Sequence, residues 1–214
     1  MMTLFRLIVV TIVLQISPLA VQAQDSVKDS AVEPQWTTLF DGKTMDGWEK
    51  VGKDDSHWAI EDGMIAGSGT QSMLVCTKGP FKNFRYRVEA KINDGGNSGV
   101  YFRTTRKPGF MDGYEAKVAS THTDPIRTGS LDGFCHVYRQ HVKTDEWFTY
   151  EIEVRDDVWR GREMTRIKIT VNDNELYEYM DFAKTYPAGH FAFQQHDPDS
   201  KVHIRKVEVL PLAD

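Results

Sequence analysis

Two short runs, GVYFRTT at 99–105 and GYEAKVA at 113–119, hold the side chains best placed to do chemistry. Strand alternation in the first puts Val100, Phe102 and Thr104 on one face and Tyr101, Arg103 and Thr105 on the other. In the second, Tyr114, Ala116 and Val118 oppose Glu115 and Lys117. With both apolar faces turned inward, Arg103, Glu115 and Lys117 are expected together on the opposite sheet face. The run HFAFQQH sets His190, Gln194 and His196 against Phe191, Phe193 and Gln195 by the same reasoning. A concave face carrying a carboxylate, two cations and an imidazole can hold a ligand, move a proton and steady a negative charge. The competing reading of the same residues is a set of exposed cross-strand ion pairs of little energetic weight.

Other chemistries find less support. Hydrolysis on a sandwich fold by the usual route needs two carboxylates at fixed separation, commonly written E-x-D-x-x-E on one strand. The nearest run here, EIEVRD at 151–156, reads as a plain amphipathic strand. There is no G-x-S-x-G, no H-E-x-x-H and no phosphate loop. His122, His136 and His141 fall in the loop-rich segment 120–145 at no standard metal spacing, which favours solvated loop histidines. Cys76 and Cys135 could form one disulfide or stay as two buried thiols; they lack the spacing of a zinc site. Trp147 and Trp159 could each stack on a sugar ring or pack at an edge.

The elements that must position these residues are strands. FRYRVEAKI alternates strictly, with Phe84, Tyr86, Val88, Ala90 and Ile92 on one side and Arg85, Arg87, Glu89 and Lys91 on the other. HWAI and MIAG flank an Asp62-Gly63 hairpin turn, and the Asn172-Asp173-Asn174 stretch has the same chemistry. In KVHIRKVEVL the apolar phase slips between Ile204 and Val207, which predicts a β-bulge near Arg205. No helical periodicity follows the first 23 residues. Many short antiparallel strands over this length predict an all-β, two-sheet antiparallel β-sandwich or jelly roll, as one domain from 36 to 212.

The N-terminus reads differently. Arg6, the apolar run LIVVTIVLQI and the small-x-small VQA at 21–23 read as a secretory leader cut before Gln24, with a retained membrane anchor as the competing reading, and 24–35 reads as a polar lead-in. Localisation is therefore expected to be secreted or periplasmic, with no membrane attachment after cleavage. Losing the leader, whose one formal charge is Arg6, takes the net charge from −5 to −6. That acidity argues against a nucleic-acid partner, which would ask for a basic patch. Oligomeric state is not legible.

Eight blocks in order carry a family likeness: WTTLFDGKTMDGW, HWAIEDGMIAGSG, LVCTKGPFKNFRYRVEAKI, GGNSGVYFR, GYEAKV, TGSLDG, EWFTYEIEV and FAFQQH. From about Trp36 to Leu210 the chain closely resembles the secreted 3-keto-disaccharide hydrolase domain family. The resemblance implies a concanavalin A-like lectin/glucanase sandwich and a carbohydrate substrate whose glucose ring is already oxidised to a ketone at C3. That ketone acidifies the C2 proton, and the leaving group at C1 is β to it. A base and an electrophile then suffice for elimination, after which water adds. On this resemblance Glu115 or His196 is the general base, with the other as acid. Arg103 binds hydroxyls or the enolate, with Lys78, while Asn97, Gln195 and Trp147 shape the pocket. Lys117 stands beside the site where the family has glutamine. An aspartate, Asp197, follows the last histidine where the family has glycine, and FCHVYRQH after TGSLDG also departs from the pattern. No cofactor is fixed by the sequence; a divalent metal could serve as the enolate electrophile, although no residue pattern supplies its ligands. A non-catalytic carbohydrate-binding module, or a purely structural sandwich, are the alternatives.

Overall fold

The computed structural model describes residues 35–53 and 55–213. The leader and most of the lead-in lie outside the described residues. Thirteen strands follow one another: β1 Thr37–Thr38, β2 Trp48–Gly52, β3 Ser56–Glu61, β4 Met64–Gly69, β5 Ser72–Cys76, β6 Phe84–Ile92 and β7 Ser98–Thr104. They continue as β8 Tyr114–Val118, β9 Phe148–Trp159, β10 Arg162–Val171, β11 Asn174–Asp181, β12 His190–Gln195 and β13 Val202–Pro211. All pairings are antiparallel. The larger sheet runs β11-β10-β9-β6-β13-β4-β3, with β1 added on β13, and the smaller runs β2-β5-β12-β7-β8.

Period-2 sequence is what makes this a sandwich. Phe84, Tyr86, Val88, Ala90 and Ile92 from β6 are fully buried, as are Tyr150, Ile152 and Val154 from β9, and they meet Phe191, Phe193, Phe102 and Tyr114 from the smaller sheet. Tyr86 and Phe191 stack across the layers with ring centroids 3.9 Å apart. The outward side chains of the larger sheet form a charged ladder in which Glu151 joins Arg85 and Arg87. Such exposed pairs add solubility and little stability.

Two irregularities matter. The bulge expected near Arg205 is present, since Ile204 pairs with Ala90 and Lys206 with Glu89. A second bulge, which strict alternation does not foresee, sits in β7. His190 pairs with Thr104 but Ala192 with Tyr101, so Phe102 and Arg103 together oppose Phe191. Arg103 takes φ +53, and Gly189 lets its backbone pass, because a Cβ at Gly189 would lie 2.4 Å from the Arg103 carbonyl carbon. Cys76 is buried in the core, Cys135 is part-buried beside Tyr179, and both are free thiols.

Candidate active site

The outward face of the smaller sheet carries Met73 and Val75 from β5, Ala192 and Gln194 from β12, Tyr101 from β7, and Glu115 and Lys117 from β8. The register sets Tyr101 opposite Glu115 and Gly99 opposite Lys117. Gly99 is where the strand makes room. A Cβ there would sit 2.7 Å from both Cγ and Oε1 of Glu115 and 2.7 Å from the Tyr101 ring, so the carboxyl folds into the space a side chain would fill.

The backbone beneath Glu115 is held from both sides. On the open edge of β8, Asp132 donates its N–H to the Glu115 carbonyl and Lys117 donates its own to Ser130, each at 2.9 Å. That explains the TGSLDG block at 128–133: it pins the edge of the strand that carries the carboxylate.

Glu115 is 5% exposed. The Tyr101 hydroxyl lies 2.6 Å from its Oε2, while Lys117 Nζ lies 3.5 Å from its Oε1. The second distance is an ion contact at the long limit of hydrogen bonding, and no closer donor reaches Oε1 among the described residues. Burial is the largest influence on this carboxyl and raises its proton affinity above the usual glutamate value; Lys117 and Tyr101 pull the other way without reversing it. Burial likewise raises the Tyr101 phenol, next to a carboxylate.

Tyr101 has one hydroxyl proton and three neighbours. Gln194 Nε2 donates to it at 2.9 Å, and it can donate to Glu115 Oε2 or to the Phe110 carbonyl at 3.0 Å. With Glu115 ionised, the proton serves the carboxylate. With Glu115 protonated, the acid donates to Tyr101 and Tyr101 donates to Phe110. Proton uptake at Glu115 is thereby tied to the 105–113 loop.

His196 lies just past β12, part-buried, its ring stacked on Phe110 at 5.5 Å. Its Nδ1 is 2.8 Å from Asp197 Oδ1, and its Nε2 has no hydrogen-bond partner among the described residues. Asp197 also faces His122, whose Nε2 lies 3.2 Å from Oδ2. His122 Nδ1 accepts the Asp124 N–H, which leaves Nε2 to carry the proton of the neutral ring, and the contact with Asp197 Oδ2 is an ion contact without hydrogen-bond geometry. The departure from the family pattern at 197 therefore bonds one imidazole, His196, and sets a second, His122, beside the same carboxylate, so His122 is no free loop histidine.

A hollow of about 130 Å³ opens at Glu115 between Phe110, Met111, Asp132 and Phe134, and one of about 320 Å³ lies by Met73 and Ser72 on the far side of Phe110. Phe110 borders both.

Four expectations are corrected. Arg103 does not join Glu115. The bulge and its left-handed backbone turn it to the larger sheet, where Asp156 Oδ1 (2.9 Å), Thr165 Oγ1 (3.1 Å), the Tyr186 carbonyl and the Lys82 carbonyl, bonded twice, occupy all five N–H donors. Trp147 lies on the outer face of the larger sheet under Arg205, 4.3 Å from its ring centroid, and Lys91. Lys78 is exposed past the end of β5, its carbonyl 2.9 Å from His190 Nδ1. Gln195 points inward and spends its Nε2 on the carbonyls of Gly69, Asp197 and Ser200. Asn97 is buried just before β7, where its N–H donates to Ser200 Oγ and its Oδ1 meets no protein donor among the described residues.

Sequence reasoning missed Tyr101, Gln194, Phe110 and Asp132. Tyr101 and Gln194 carried a signal, since alternation puts both on the Glu115 face. The two loop residues carried none.

The fold and this face together define a lectin-type β-sandwich with a buried acid/base cluster on the smaller sheet. The chain matches the 3-keto-alpha-glucoside-1,2-lyase-like domain family over residues 35–210, and it belongs to that family. A 3-keto-disaccharide hydrolase of Bacteroides thetaiotaomicron is 39% identical over 79 residues, a stretch covering 31% of this chain and 27% of that protein. Among solved structures, a Parabacteroides distasonis protein named as a glycosyl hydrolase superposes with TM-score 0.65 at 20% identity, covering 83% of this chain and all of the other. A carbohydrate-binding module of Bacillus subtilis gives 0.57 at 19%, over 75% and 93%. At those identities the structural likenesses speak for the fold.

Proposed function

We propose that this domain cleaves 3-keto-glycosides, with Glu115 as the base that takes the C2 proton and His196 as the acid that protonates the departing aglycone oxygen. The observation that carries the reading is the buried Glu115 carboxyl, lifted in proton affinity by burial and set between Lys117 and Tyr101. A general base gains from a raised proton affinity and a fixed position; burial supplies the first and the Tyr101 bond helps supply the second. His196 fits the acid role because Asp197 holds its Nδ1 and leaves Nε2 to exchange a proton.

The electrons move in a closed sequence. The C2–H pair becomes a C2=C3 bond while the ketone oxygen takes up charge. Its return re-forms the ketone, makes C1=C2 and expels the aglycone oxygen, which takes a proton. Water adds at C1 and C2 is reprotonated. No oxidant is consumed, because the ring arrives already oxidised. Asn97 Oδ1 and Gln194 Oε1 are buried acceptors that meet no protein donor among the described residues, and in this reading they take sugar hydroxyls. The leader-like run at 1–23 supports, as part of this reading, an activity outside the cytoplasm.

The test is incubation of the protein with a 3-keto-disaccharide and with its unoxidised parent. Cleavage of the keto form alone, abolished in Glu115→Gln, supports the reading. Binding of sugar without products would instead make the domain a carbohydrate-binding module, and cleavage by Glu115→Gln at the wild-type rate would remove Glu115 from the mechanism.

A further inference from the structure

With Arg103 committed to Asp156, the reaction proposed above lacks the group that steadies the C3 oxygen, and the geometry points to Lys117. We propose that the Lys117 ammonium is that group, donating an N–H to the C3 oxygen as Glu115 takes the C2 proton. The inference rests on the 3-keto-glycoside reading of this site.

Three observations carry it. The Lys117 side chain is only 6% exposed, so its ammonium has lost most of its water. An ammonium has three N–H donors, yet among the described residues Lys117 has one acceptor, Glu115 Oε1 at 3.5 Å. A buried cation so poorly satisfied is costly, and an incoming oxygen that gathers negative charge would relieve it. Its backbone is also fixed: the N–H donates to Ser130 and the carbonyl accepts from the buried Tyr150 hydroxyl at 2.5 Å. The head group is thus aimed from a rigid base.

The spacing suits an enolisable ketone. A carbonyl oxygen and the carbon next to the carbonyl lie about 2.4 Å apart by standard bond lengths. A base and a donor that engage that carbon's proton and that oxygen must therefore be near neighbours. Glu115 and Lys117, two residues apart on one face of β8, have head groups 3.5 Å apart. Gly99, across from Lys117, leaves the room into which the Glu115 carboxyl folds.

The step balances without a further reagent. The proton on C2 passes to Glu115, the C2–H pair forms C2=C3, and the charge on the C3 oxygen is held by the Lys117 N–H. The charge is released when the C1–oxygen bond breaks. Lys117 keeps its proton throughout, so it acts as a donor and forms no bond to carbon.

The experiment compares wild type, Lys117→Met and Lys117→Gln on one 3-keto-disaccharide, with thermal melts to confirm folding. The Met variant should lose kcat by about 10²–10³, the usual cost of one oxyanion donor, with KM changed only a few-fold. Lys117→Gln keeps an N–H donor and should retain at least tenfold more activity than Lys117→Met. As a folding-independent check, wild type with cyanoborohydride and 3-keto-1,5-anhydroglucitol, which lacks a leaving group at C1, should show no mass adduct. A wild-type rate in Lys117→Met, a reduced adduct on Lys117, or loss of wild-type activity on chelation with recovery on adding a divalent metal would each overturn the proposal. If wild type itself leaves the keto substrate intact, the reading of the whole site fails with it. If wild type cleaves and Lys117→Met does too, only Lys117's role fails.

Discussion

Replacing Arg103 with methionine separates a structural arginine from a catalytic one. The guanidinium is 1% exposed and makes five hydrogen bonds, one to the Asp156 carboxylate, which is itself mostly buried. Removing one partner of a buried pair costs about 3–5 kcal/mol, and here the Asp156 carboxylate is left with the Thr165 hydroxyl at 3.0 Å and Lys184 Nζ at 3.6 Å. For a domain of this size each kcal/mol moves Tm by roughly 2–4 °C, so Arg103→Met should melt about 6–20 °C below wild type. Burial raises the Asp156 carboxyl, but the Arg103 bond and charge outweigh it and hold the group below its ordinary 3.8. A depressed carboxylate adds stability that is present above the unfolded value and lost as pH falls through the folded one. The gap between wild type and variant should therefore narrow below pH 3.8. Adding Asp156→Leu should recover most of the loss, because two apolar side chains replace the pair. The assay is a melting series from pH 3 to 8 beside cleavage measured well below each Tm. A variant that melts within about 1 °C of wild type but has lost cleavage would refute this reasoning and return Arg103 to the chemistry.

Further expectations follow from the Glu115 cluster. Gly99→Ala puts a methyl 2.7 Å from the carboxyl, so it should cost about 1–3 kcal/mol by overpacking and about 10² in kcat by displacing the base, read by melts and initial rates. Glu115→Gln should gain stability relative to wild type as pH rises above 4.5. A carboxyl with raised proton affinity helps the fold below its unfolded value and loses that help as pH climbs through the folded one; parallel stability curves would contradict it. Tyr101→Phe removes a bond that favours the ionised base, so the acidic limb of kcat/KM should move to higher pH. A limb that stays in place would show that Tyr101 does not speak to Glu115.

Strand content, the two-sheet layering and the bulge at Arg205 were legible because burial on one face writes period-2 into the sequence. The same rule put Glu115, Lys117 and Gln194 on one outer face, and it placed Tyr101 there too. It failed at Arg103 for one reason. A single inserted residue reverses every side chain beyond it, and here the inserted conformation falls on an arginine at φ +53 where no glycine marks it. The compensating glycine, Gly189, sits 86 positions away, visible only once β12 lies beside β7. Trp147 shows a different limit. Alternation could tell that it faces away from Phe148, but not which of the two sheets β9 would join. Phe110 and Asp132 were invisible because loop residues carry no period. Their positions follow from two long-range bonds, Tyr101 to the Phe110 carbonyl and Asp132 to the Glu115 carbonyl.

The central claim is that Glu115 removes the C2 proton of a 3-keto sugar. The most direct measurement follows a 3-keto-glycoside carrying deuterium at C2 by proton NMR and mass. Wild type should release the label to solvent and cleave with a primary isotope effect, while Glu115→Gln leaves the deuterium in place. Cleavage that retains deuterium at C2, or label loss that continues unchanged in Glu115→Gln, would contradict the account.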